Sequence, residues 1–245
     1  MNHWIIPDWP APRSVGAIST TRLGGVSKGP WQSLNLGMNS GDGADEVARN
    51  RALLSEMLPA APHWVQQVHG SRVLQHPGAG LSKDPPIVQA DAQFTREKHA
   101  VCAILAADCL PVLFCDRKGT EVAAAHAGWR GMAAGVLENT VAAMGQPASE
   151  LIAWLGPAIG PAVYQVGDDV KAAFASQQAA GAAAFKPDGD RWLFDLYAMA
   201  RHCLQQVGVG HISGGGYCTY SDPERFFSYR RDRITGRMAN LVWLL

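Results

Sequence analysis

The sequence predicts an α/β fold, and three observations carry that expectation. Short apolar segments of strand length recur at 14–20, 100–106, 110–115, 121–126, from 151, and at the C-terminal end. Between several of them lie stretches with apolar residues at helical spacing. No linker or composition break divides the 245 residues, so 1–245 reads as a single domain with one large core.

Taken in order, SVGAIST (14–20) reads as the first strand. TRLGGVSKGPWQSLNLG (21–37) holds Gly24-Gly25 and Gly29-Pro30, which mark a loop. Asp45–Leu58 is expected to be helical, with Asp45 as cap, Val47, Leu54 and Met57 as an apolar stripe, and Pro59 as stop. HWVQQVHGSRVLQH (63–76) alternates loosely and predicts one or two strands, with His69-Gly70 at a turn between them; a Gly- and Pro-rich connection runs on to Pro86. IVQADAQFT (87–95) is a further short strand.

The stretch 101–131 organises the rest. It reads as apolar strands joined by a polar turn at Asp116–Gly119, with Pro111 placing the start of 110–115 at an edge or irregular site. A helix is expected over Met132–Met144, so His126 lies where a strand hands over to a helix, a common place for ligands in open α/β sheets. Beyond come a strand and Gly/Pro turn at 151–161 and an Ala-rich helix from Gly167 to Ala180. Asp195 caps a helix over 196–207 that ends at Gly208. A glycine-rich strand or loop (211–220), the basic SYRRDR (228–233) and a final strand complete the chain.

Composition excludes some classes. With 21 basic and 21 acidic side chains the formal net charge is zero, which favours neither nucleic acid nor an anionic membrane as partner. No run of eighteen apolar residues predicts a membrane span, and the N-terminal MNHWIIPDWPAPR lacks the pattern of a signal peptide. Five scattered cysteines point to reduced thiols, and hence to the cytoplasm. Neither a dinucleotide fingerprint nor a P-loop occurs.

His69, Cys109 and His126 are the candidate chemistry. Two imidazoles and a thiolate suit zinc, and three protein ligands with no obvious fourth is the pattern of a catalytic site with an open position. Each adjoins a polar or Gly-containing break in an apolar segment. The same residues fit two other readings: a buried core cysteine, or a Cys109–His126 nucleophile and base without metal. Asp91 and Asp108 could accept hydrogen bonds behind the ligands, serve as general base, or cap turns. Arg130 at the strand–helix junction suits a phosphate or carboxylate, and Gly128 and Gly131 permit close backbone approach. For SYRRDR a solvated face is the default, with a phosphate-bearing or aromatic substrate as the sharper reading.

Taken together, TRLGGVS (21–27), SLNLG (33–37), QVHG (67–70), ADA (90–92), AADCLP (106–111), HAGWRG (126–131), LGPAIGP (155–161) and FFSYRRD (226–232) span nearly the whole chain. In these motifs the chain resembles the YfiH-like bacterial family, historically named laccase domain or polyphenol oxidoreductase. That resemblance implies an α/β domain of mixed β-sheet layers and packed helices, with zinc on His69, Cys109 and His126. It implies phosphorolysis of adenosine, inosine, guanosine and S-methyl-5'-thioadenosine, and deamination of adenosine. Arg49 and Arg130 are its candidates for phosphate or substrate, and Asn35, Gln67 and Asp91 for places at or behind the ligands.

The family's association with peptidoglycan editing implies a second chemistry, hydrolytic removal of L-serine from UDP-MurNAc-L-serine. The oxidase name implies copper. A single copper would fit an N/S donor set, since copper competes well there. A multicopper array would need more: the chain has eight histidines in all, none in a His-x-His pair.

Overall fold

Alternation of apolar residues along the strands sorts this protein into layers. The structure is a computed structural model and describes residues 3–76, 78, 88–176, 181 and 183–245. The strands are β1 (Val15–Ser19), β2 (Val73–Gln75), β3 (Ala92–Thr95), β4 (Val101–Ala106), β5 (Leu110–Asp116), β6 (Val122–Ala127), β7 (Leu151–Leu155), β8 (Gln165–Val166), β9 (Phe185–Asp188), β10 (Arg191–Phe194), β11 (His211–Gly214) and β12 (Met238–Leu244). The α-helices used below are α1 (Ala44–Ser55), α2 (Trp129–Ala133), α3 (Val136–Ala143), α4 (Asp168–Ala173), α5 (Leu196–Gln206) and α6 (Tyr229–Asp232).

The central sheet has the order β11-β7-β5-β6-β3-β2, parallel at its two outer pairs and antiparallel between them. A second sheet, β1-β12-β4, is antiparallel throughout. Successive residues of β5 show how the layers form. Val112 and Phe114 pack with α3 and α5, through Leu137, Val141, Met199 and Leu204. Leu113 and Cys115 face the other way, onto Cys102, Ile104 and Val242 of the second sheet. The far face of that sheet is covered by Leu34, Leu36 and Leu54. The result is an α/β fold of mixed sheets and packed helices, as expected. Among the described residues no helix is long and apolar enough to cross a membrane.

Several local expectations are corrected. Pro111 is not at a sheet edge: β5 lies between β6 and β7. Regular pairing with β7 begins at Val112↔Leu155. The Pro111 carbonyl accepts from the Gly156 N–H at 2.9 Å, while the Gly156 carbonyl accepts from the Tyr197 hydroxyl at 3.1 Å, so Pro111 sits at an irregular end of the ladder. The helix expected over 132–144 is two helices, divided at Gly135 with φ 85°, a left-handed turn that glycine adopts without steric cost. Asp45 lies inside the first turn of α1 rather than capping it, and Gly43 holds the cap position. Met57 is exposed rather than part of the stripe. The segment 63–76 forms only β2, with isolated bridges at His63 and Gln66.

The Ala-rich helix is described as α4, and 177–180 and 182 lie outside the described residues, as do 77 and 79–87 of the Gly/Pro-rich connection. Asp195 caps α5 as expected, its carboxylate accepting from the Ala198 N–H at 2.9 Å. Gly208 follows in the left-handed region, at φ 85°. The sheet β8-β10-β9 was not foreseen.

Candidate metal centre

Asp91 builds the site. It directly precedes β3 and is fully buried. Its carboxylate accepts from the backbone N–H groups of Val68 (3.1 Å), His69 (2.9 Å) and Gly70 (2.7 Å). Three successive amides folded around one carboxylate hold the loop in a shape that a ladder would not give, with His69 at φ 61°. The same carboxylate receives His126 Nδ1 at 2.9 Å. Burial alone would raise the Asp91 carboxyl, but the bonds from His126, Gly70 and Val68 override it and hold it below the usual range. An ionised carboxylate only accepts, so Nδ1 of His126 carries the proton and Nε2 is left for a ligand.

Cys109 comes from the β4–β5 turn. The turn is held by Asp108, in the left-handed region at φ 92°. Asp108 Oδ1 accepts from Thr219 Oγ1 and Oδ2 from the Arg230 N–H, both at 2.6 Å. Its carbonyl accepts from Ile159 N at 2.9 Å. Gln67 fastens the His69 loop to the end of β4, donating to the Leu105 carbonyl (2.8 Å) and accepting from the Leu105 N–H (2.7 Å).

These turns bring one ligand atom each from His69, Cys109 and His126 within 4.8 Å of one another. The two imidazole rings are 4.9 Å apart and inclined at 72°. A shared zinc, with bonds of about 2.0–2.3 Å, would draw donors gathered within 4.8 Å of one another onto one centre. His126 is buried, Cys109 half-buried and His69 exposed, so the group opens on the His69 side. The glycines of HAGWRG make room for it. A Cβ on Gly128 would meet Cys109 Sγ at 2.8 Å, and one on Gly131 would meet the Gly70 carbonyl at 2.8 Å.

Electrostatics favour the ligand form of the thiol. Burial would raise Cys109, yet the charges and hydrogen bonds of His126 and His69 pull it down to about 6. Burial would lower His126, yet Cys109 and Asp91 raise it to about 9. The two shifts run in opposite directions, each caused in part by the other group, and together they favour a thiolate paired with a protonated imidazole.

The other expected residues divide. Asn35 is buried: its amide donates to Ser40 and Asp42, and its oxygen accepts from the Gly37 and Arg237 N–H groups. Asn35 and Gln67 thus brace loops. Arg49 is exposed on α1, with no hydrogen bond or ion pair among the described residues. Arg130 is exposed at the start of α2, 4.3 Å from the centroid of the Trp129 ring.

Sequence reasoning missed Tyr164 and Arg237 and left Arg230 undecided. Burial pushes the Tyr164 phenol up; Cys109 and Asp108 add to this, while Arg230 and Arg130 oppose it. Burial lowers Arg237, and Cys109, Asp108 and Tyr229 oppose that. FFSYRRD was the available signal for Arg230; nothing local marked the other two.

Comparison with known proteins agrees with this geometry. A family model described as multi-copper polyphenol oxidoreductase laccase matches residues 16–245. Purine nucleoside phosphorylase YfiH of Escherichia coli is 51% identical over 247 residues, covering 100% of both chains. The chain belongs to the YfiH-like family. Another relative, purine nucleoside phosphorylase PA4543 of Pseudomonas aeruginosa, is also 51% identical, over 100% of this chain and 99% of that one.

Among solved structures, Neisseria meningitidis protein NMB0706 aligns with a TM-score of 0.93 at 48% identity, over 99% of each chain. YlmD from Geobacillus stearothermophilus aligns at 0.88 and 32% identity, over 98% of this chain and 96% of that one. Membership of the YfiH-like family and the three-ligand group together indicate an enzyme that works with a metal. Among the described residues, that group is the one cluster of three or more potential ligands from His, Cys, Asp and Glu, where a multicopper array would need several.

Proposed function

We propose that the chain is a zinc-dependent purine nucleoside phosphorylase acting on adenosine, inosine, guanosine and S-methyl-5'-thioadenosine, and that the same site deaminates adenosine. The observation that carries the reading is the convergence of His69, Cys109 and His126 behind one organising carboxylate. The purine substrate class comes from the names of the relatives. When bound, zinc supplies a Lewis acid with an open coordination position. His69, Cys109 and His126 hold it, and copper is the alternative occupant of such a donor set. Asp91 keeps the His126 tautomer fixed. With the His69, Gly70 and Val68 amides and His126 already on it, Asp91 serves as a positioning residue rather than a general base. Arg130 and its neighbours receive the phosphate. The substrates are small molecules in the cytoplasm, with no nucleic-acid or membrane partner, in keeping with the balanced charge and five unpaired cysteines.

The test is incubation of pure protein with inosine and phosphate. Ribose 1-phosphate and hypoxanthine are the expected products; their absence from protein carrying stoichiometric zinc would refute the reading.

Arg230, whose backbone N–H is fixed on Asp108 beside Cys109, favours one second reading, hydrolysis of UDP-MurNAc-L-serine, because a guanidinium suits a diphosphate equally well. Serine release that disappears in Cys109→Ala would establish it; full release in that variant would remove the site from the reaction.

A further inference from the structure

The three arginines of the FFSYRRD segment and its approach differ in one respect. Arg225 is paired with Asp222 at 2.6 Å. Arg231 is consumed by the carbonyls of Thr219, Tyr220 and Phe226 and by Asp232. Arg230 has no carboxylate partner among the described residues. Its guanidinium makes one hydrogen bond, from Nη1 to the Gln165 carbonyl at 2.7 Å. It is half-buried and lies 5.0 Å from the centroid of the Tyr164 ring. Its backbone N–H is fixed on Asp108, the residue before Cys109. A partly desolvated guanidinium held in place without a counter-charge is a binding group in waiting.

Tyr164 has the same character. The ring is buried, and its hydroxyl faces solvent with no hydrogen bond to another described residue. A solvent-facing hydroxyl and a guanidinium fork, neither engaged by an acceptor among the described residues, are free to bind an acceptor from outside the protein.

We infer that Arg230 and Tyr164 form an anion subsite for a tetrahedral phosphoryl group beside the His69–Cys109–His126 centre. This deepens the phosphorylase reading and rests on it for the identity of the anion. The shared chemistry is a phosphoryl oxyanion, whether free phosphate or the phosphoryl group of a nucleotide. Arg230 offers Nε and Nη2 as a fork and Tyr164 a neutral O–H. Asp108 does not compete, because its carboxylate is taken by Thr219 and the Arg230 amide.

Calorimetric titration of the metal-loaded protein with inorganic phosphate, and separately with UDP, tests the subsite. Arg230→Met is expected to weaken binding roughly tenfold or more, Tyr164→Phe several-fold, with Arg230→Lys intermediate and metal content unchanged. In the inosine assay the KM for phosphate rises by similar factors while the KM for inosine moves less than about twofold.

Saturable binding of phosphate assigns the free ion, and binding of UDP without phosphate assigns a nucleotide. If the wild-type protein forms no ribose 1-phosphate, yet binds either anion in a manner both variants weaken, the phosphorylase reading falls and the subsite stands. Wild-type affinity in both variants, or no saturable binding of either anion by the wild-type protein, overturns the subsite. Should Arg230→Met not fold, Tyr164→Phe decides alone, since it removes a single oxygen.

Discussion

The strand interiors and the turns at their ends treat the same residue type in opposite ways. Cys115, inside β5, is buried among Leu113, Val122 and Ile152, and burial, helped by Asp116, pushes its thiol up to about 12. Cys109, in the turn leading into that strand, is pulled down to about 6. Cys102 in β4 behaves like Cys115, raised by burial. Cys102 and Cys115 are buried and Cys109 is half-buried, yet desolvation pushes upward on all three thiols. The difference is two imidazoles, one of them fixed by a buried carboxylate, so a thiol becomes a ligand through its neighbours rather than its depth.

Substitutions at the two kinds of position sharpen this contrast. The largest effect is expected from Cys109→Ala. Metal content should fall from about one ion per chain to near zero, and activity by roughly a thousandfold, beyond the range expected for a residue that only supports a ligand. Cys115→Ala should keep its metal and lose only about 1 kcal/mol of stability, read from a denaturant melt. Equal metal loss in both variants would erase the distinction.

Asp91→Asn comes next. It leaves His126 without its carboxylate and the 68–70 loop without its anion, so metal affinity should drop roughly 10- to 100-fold in a chelator competition. Gly128→Ala should cost about tenfold in activity, because the added methyl meets Cys109 Sγ and moves it off the common centre.

A pH series probes the coupled charges directly. Between about 6 and 9 the metal-free pair has lost the Cys109 proton and kept that of His126. Metal binding therefore releases one proton in this window, and affinity should rise about tenfold per pH unit, flattening above 9 and steepening below 6. A flat profile would mean that His126 is not a ligand. The smallest effect belongs far from the centre. Asp195→Ala removes the cap of α5 and should cost about 1 kcal/mol, with metal affinity unchanged.

What the sequence revealed follows the range of the interaction. Asp195 and Gly208 were legible because a cap and a left-handed stop are local chemistry. The alternation of β5 was legible because its two faces meet different layers. Gly135 went unread as a break since the apolar spacing runs through it, and whether Pro111 marked an edge or an irregular site depended on where β7 ends. Of the site, the three ligands stood out by residue type and motif. The role of Asp91 was open until its position beside both His69 and His126 was known, and Arg230 meets Asp108 across 122 residues of sequence, a separation that no spacing rule bridges.

The most direct test is metal analysis combined with X-ray absorption at the zinc edge, on the wild-type protein and Cys109→Ala. An open centre on His69, Cys109 and His126 should give about one zinc per chain, with one sulfur near 2.3 Å and nitrogens near 2.0–2.1 Å, and no bound zinc in the variant. A protein that turns over inosine fully without zinc, or a Cys109→Ala variant that keeps both metal and activity, would contradict it.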